Sequence, residues 1–139
     1  MKAYQIHHFV RSEDLNSHRT LFAGQAAKWF VESGFIAAAS TTSPHNIVCL
    51  NIHGMLFKTP VPTGSIICFE SKVVLARRVS LVSYVKATNA VSGEFLVDGF
   101  LTFVHVNADG KPIAHGITLE PDSEEEKRLN EMARSLPKR

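Results

Sequence analysis

At 139 residues the chain can bury one core without disulfide or metal staples, and it is too short for several domains of ordinary size. An apolar fraction of 45% with 20% charged residues excludes a disordered or fibrous protein. A net charge of +2, with basic residues scattered and no arginine-rich run, leaves no footprint for a nucleic acid.

No apolar stretch reaches the roughly 18 residues that suggest a membrane span. "MKAYQIHHFVRSED" lacks the uninterrupted apolar run that follows the basic start of a signal peptide. Cys49 and Cys68 sit in strand-like segments without CxxC spacing, so they read as buried free thiols rather than a disulfide or a zinc site. The expectation is a cytoplasmic protein with neither a membrane nor a nucleic acid as partner.

"YQIHHFV" (4–10) is short and rich in strand-favouring residues, and the polar "RSEDLNSH" after it reads as a loop. Residues 24–39 form one helix that is apolar almost all the way round, ended by "STTSPHN". Four strands follow at 47–57, 66–76, 80–90 and 94–106, separated by "KTPVPTGS", by Arg77-Arg78 and by Ser92-Gly93. In the second of them Phe69, Val73 and Leu75 alternate against Glu70, Lys72 and Val74, which predicts one shared face for the first three. "NADGKP" (107–112) is a turn. Residues 122–136 predict a charged helix with a capping residue and acids in its first turn. The later strands have no crossover helices between them, so the class is α+β with an antiparallel sheet. An apolar helix beside such a sheet is hidden only if the sheet wraps it or a second copy covers the remainder.

Three motifs then stand in register. "NSHRTLFAGQAAKWFVE", "GMLFKTPVPTGSIICFESKVV" and "DGFLTFVHVNADGKP" together resemble the hotdog-fold acyl-CoA thioesterases, over roughly residues 10 to 115. The resemblance implies a long central helix wrapped by a five-stranded antiparallel sheet over residues 1–120, with 121–139 as a charged C-terminal helix and tail. It also implies dimers with sites at the subunit interface, assembled as a trimer of dimers, acting on acyl-CoA with no cofactor beyond the coenzyme A of the substrate. By the same resemblance Asn16 falls on the active-site asparagine and Gly24 on the second glycine of the loop. Arg19 and Ala23 stand where the family has glycine. Val31 stands where it has its catalytic aspartate, and Glu32 matches the glutamate that follows.

Thioester hydrolysis needs a base for water and donors for the developing oxyanion, which helix N-terminal amides supply. Glu32 is the candidate base, in surroundings expected to be dry and to raise its pKa, with Asn16, Gly24 and Gln25 orienting water and thioester. The plainer reading makes Glu32 the end of a solvated stripe with Gln25 and Lys28, which lie within about 60° on a helical wheel. The resemblance places Arg77, Arg78 and Ser80, and less directly Lys58, against coenzyme A phosphates, for which guanidinium groups are suited. A solvated basic turn is the alternative. His18 adjoins the loop, His53 and His105 lie on strands as structural residues, and Trp29 and Phe30 belong to core or interface. The histidines have no HxxEH or HExxH spacing, so no metal site is expected. The reading of the whole is an acyl-CoA thioesterase. The alternatives are a non-catalytic acyl-CoA-binding or regulatory hotdog protein and, more remotely, a hydratase, whose Asp-x-x-x-x-His pattern the chain lacks.

Overall fold

The computed structural model describes residues 1–137. In chain order it has Ala3–Phe9 (β1), Ala23–Ala39 (α1), Ile47–His53 (β2), Ile66–Ala76 (β3), Ser80–Asn89 (β4), Phe95–His105 (β5) and Glu124–Arg134 (α2). All the strands join one antiparallel sheet in the order β1-β3-β4-β5-β2. The short β3–β4 and β4–β5 connections make neighbours of consecutive strands, while β1 and β2 take the two edges. This is the predicted hotdog arrangement, with α1 against the inner face of the sheet.

The docking of α1 depends on one glycine and two serines. A Cβ on Gly34 would lie 2.7 Å from Leu101 Cδ1, so its absence lets the helix backbone settle on the strands. The buried hydroxyls of Ser71 and Ser83 donate to the carbonyls of Ser33 (2.8 Å) and Gly34 (2.9 Å), tying β3 and β4 to the helix main chain. Around this contact Phe30, Ala37 and Ala38 pack with Phe69, Val85, Leu101 and Phe103 in the main core.

Two strand expectations need correction. The strand foreseen over 47–57 stops at His53, because Gly54 turns the chain with φ +77 and lays its carbonyl over Gly99. Leu75 does not share the face of Phe69 and Val73. A bulge between Val73 and Leu75 shifts the register, and both Val74 and Leu75 pack on the outer face. There they meet Leu129 and Ala133 of α2, whose Asn130 donates to the Val74 carbonyl at 2.8 Å. Helix α2 is capped by Ser123, which accepts from the Glu126 amide at 3.1 Å. The charged C-terminal piece therefore covers the back of the sheet. Residues 138 and 139 of the predicted tail lie outside the described residues.

The cysteines are free, as expected, but not buried. Cys49 is exposed on the edge strand β2, and Cys68 is half-buried on β3 opposite His7 of the other edge strand. No helix among the described residues is long and apolar enough to cross a membrane.

Candidate active site

The loop before α1 is built by Asn16. Its Oδ1 accepts from the amides of His18 (2.9 Å) and Thr20 (3.2 Å), and its Nδ2 donates to Thr20 Oγ1 at 3.0 Å. These bonds close a tight turn in which Arg19 takes φ +63, a left-handed conformation that glycine adopts without a Cβ penalty. Asn16 was expected to orient water or carboxylate, but its oxygen and one of its amide hydrogens are spent on shaping the loop.

Helix α1 begins one residue earlier than predicted, after Phe22, whose side chain provides no cap. The Gln25 amide donates to the Phe22 carbonyl at 3.0 Å, whereas the amides of Ala23 and Gly24 meet no acceptor among the described residues. Two bare N–H groups therefore remain at the positive end of the helix. A side chain at position 24 would collide with the Phe22 ring. The side chain of Gln25 is engaged with the preceding loop: its Nε2 donates to Asp14 Oδ1 at 2.8 Å.

Asp14 is a residue that sequence reasoning missed. It is buried (7% exposed), and its Oδ2 accepts from the Arg11 amide at 2.9 Å. Its main-chain carbonyl accepts from the Phe22 amide at 2.8 Å. One residue thus clamps the loop to the helix start. The Arg11 amide, and next the Gln25 side chain, hold its carboxyl below the usual carboxylate range.

Glu32 departs from the expected dry environment. Its side chain is 48% exposed within the protomer, because α1 turns this face away from the sheet. It does not pair with Lys28. Its Oε1 lies 3.8 Å from Nε2 of His8, on β1. Val31 is half-buried and packs against the main core, so the helix offers no carboxylate there. His8, also missed in the sequence, stacks on Trp29 with ring centroids 4.3 Å apart and planes 7° from parallel. The Phe69 ring meets its edge at 5.8 Å. Burial pushes the His8 pKa below the usual histidine value, opposed by the charges of Glu32 and then Asp14. An open cleft lined by His7, His8, Arg11, Glu13, Asp14 and Trp29 adjoins the group.

Arg77, Arg78 and Ser80 come together at the β3–β4 turn, lining a cleft with Leu50 and Thr102 that reaches the edge strand β2. Arg77 Nη2 donates to the Arg134 carbonyl at the end of α2 (3.2 Å), leaving Arg78 as the exposed guanidinium. Lys58 lies elsewhere, in a separate cleft with Leu56, Phe95 and Asp98. His53 bonds Thr102 Oγ1 at 2.7 Å and His105 bonds the Ile113 carbonyl at 3.0 Å, so both are structural. His18 is exposed and joins the loop only through its backbone. Trp29 and Phe30 are core.

No protein-family model matches the chain. It is 28% identical over 124 residues to an uncharacterized acyl-CoA thioester hydrolase of Bacillus subtilis, YkhA, covering 86% of this chain and 71% of that protein. Its fold superposes with a TM-score of 0.82 on an acyl-CoA hydrolase from Bacillus cereus, at 27% identity over 95% of this chain and 82% of the other. An apo-hexameric acyl-CoA thioesterase matches with a TM-score of 0.83 and 29% identity, over 96% and 86% of the two chains. In fold and in sequence, the chain is similar to acyl-CoA hydrolases and thioesterases.

Proposed function

We propose that the chain hydrolyses acyl-CoA thioesters to the free acid and coenzyme A, in sites shared between copies of the chain. The observation that carries this reading is the uncapped start of α1, where the Ala23 and Gly24 amides are free to receive an oxyanion. Glu32 supplies the base. It stands eight residues along the helix, about 12 Å at 1.5 Å per residue, too far to share one carbonyl with those amides within a protomer. The amides of one copy and the carboxylate of another meet that requirement. The free edge of β2, with Val48, Leu50 and Ile52 exposed, is the surface a second copy would extend. The hexameric state of the related thioesterase supports a trimer of such dimers.

In this mechanism Glu32 takes a proton from water as the oxygen attacks the thioester carbon. The resulting oxyanion sits on the Ala23 and Gly24 amides. Collapse breaks the C–S bond, and the leaving thiolate recovers the proton from Glu32. Asn16 shapes the loop that presents the amides, Gln25 secures the helix start, and Arg78 with Arg77 and Ser80 binds coenzyme A phosphates beside the β2 edge. Lys58 stands apart from this cleft and takes no step in the mechanism.

A second reading, a non-catalytic acyl-CoA-binding protein, is favoured by one observation: Val31 packs against the core at the position where the resemblance implies a catalytic aspartate. Thiol release from a panel of acyl-CoAs separates the two. Turnover is expected, with a loss of at least about 10²-fold in Glu32→Gln, the low end for a general base. Tight binding without turnover favours the binding protein, and unchanged turnover in the variant removes Glu32 from the mechanism.

A further inference from the structure

Resting on Glu32 as the base, we infer that His8, on β1, is its positioning residue. Nε2 of His8 is fully buried and has no hydrogen-bond partner, although buried ring nitrogens are ordinarily satisfied. The group facing it is Glu32 Oε1 at 3.8 Å. Asp14, the other nearby carboxylate, is already bonded to the Arg11 amide and Gln25, and of the two only Glu32 comes within 4 Å of the His8 ring nitrogen. A rotamer adjustment of under 1 Å at the exposed Glu32 closes a hydrogen bond in which Nε2–H donates and Oε1 accepts. The other oxygen of Glu32 is left for water.

The imidazole is in turn held flat by Trp29 and edge-on by Phe69, so its plane is fixed before Glu32 docks. Burial favours the neutral ring, and a neutral donor orients a carboxylate while removing less of its basicity than an imidazolium would. Charged and titratable groups face the ring from two sides: Glu32 on α1, and Asp14 on the loop. His7, Arg11 and Glu13 line the adjoining cleft. From β3 the ring meets Phe69, which does not titrate. In this arrangement His8 acts through Glu32 and not on the thioester.

The test uses the intact chain with acyl-CoA turnover and the ¹⁵N shifts of the histidine rings. His8→Phe keeps the stack on Trp29 and removes the donor, and it should lower kcat at least about tenfold with KM within about twofold. His8→Gln, which can present an amide N–H, should recover most of that loss. Adding His8→Phe to Glu32→Gln should cost under about threefold more, since one group acts through the other. In the wild type His8 should be the Nε2–H tautomer, with a ring shift that moves in Glu32→Gln. Loss of activity in Glu32→Gln with full activity in His8→Phe would overturn the role of His8 and leave the proposed function standing. Full activity in Glu32→Gln would overturn Glu32 as the base and His8 with it, and tight acyl-CoA binding with no turnover in the wild type would overturn the proposed function itself. If His8→Phe fails to fold, the tautomer decides, and an Nδ1–H ring refutes the inference.

Discussion

Asp14→Asn removes one charge-assisted hydrogen bond while preserving volume. In the wild type both carboxylate oxygens are used, one by the Arg11 amide at 2.9 Å and one by Gln25 Nε2 at 2.8 Å. Asparagine keeps a single acceptor and turns an NH₂ toward the other donor in a buried position. Hydrogen bonds to charged groups contribute about 1.5–3 kcal/mol, so a loss of about 2 kcal/mol is expected. With an unfolding entropy of about 2.1 cal/mol/K per residue, that is a fall in Tm of roughly 7 °C for a chain of this length. The pH dependence fixes the sign. The folded carboxyl titrates below its unfolded value, so its stabilisation is complete above the ordinary carboxylate range and is lost as pH falls through the folded pKa. Thermal unfolding of both proteins at one chain concentration, from pH 7 down to pH 3, should show a gap widest at neutral pH and closing in acid. A gap that stays constant to pH 3, or a Tm change below about 2 °C at neutral pH, would refute the clamp.

Gly99→Ala should destabilise by about 3 kcal/mol, because its Cβ would lie 2.6 Å from the Gly54 carbonyl oxygen, and backbone cannot step aside. Gly34→Ala should cost only about 1 kcal/mol, since helix propensity returns part of the overpacking against Leu101. Urea midpoints that rank the two the other way would contradict the packing account. Leu50→Glu places a charge on the free apolar edge of β2 and should shift the assembly to protomers in light scattering, with turnover falling at least about 10²-fold. An unchanged assembly would exclude this edge from the interface.

The fold was legible because its period signals are local. Alternation marked the strands, and the helical stretch was too apolar to stand alone. Two details were not. The end of β2 depends on Gly54 meeting Gly99, residues far apart in sequence, and the reversal of Leu75 depends on a bulge that alternating side chains do not announce. The site divides in the same way. The loop of Asn16 and the helix start were readable through the resemblance to the thioesterases, which also marked Arg19 as standing where that family has glycine. The left-handed φ supplies the reason. His8 and Asp14 carried no spacing signal. His8 is one of two adjacent histidines in a strand-like run, and only tertiary folding brings it to Trp29. Asp14 sits in a polar stretch with no feature to separate it from Glu13.

That division bears on how a carboxylate could shift along α1 without disturbing the fold. Gly34 faces the sheet, and Glu32 lies about 200° from it on a helical wheel, so the docking face and the face that carries Glu32 answer to different residues. Docking depends on the hydroxyls of Ser71 and Ser83 and on the space left at Gly34. None of these touches position 31 or 32, so valine at 31 can join the apolar wall with the helix still in place. A glutamate at 32 on an exposed face would, by itself, sample several rotamers, and ordering a long side chain costs on the order of 1–2 kcal/mol. The His8–Trp29 stack stands beside that carboxylate, with His8 Nε2 3.8 Å from Oε1. With Glu32 as the proposed base, that ordering calls for a partner on β1, and His8 is the residue standing there.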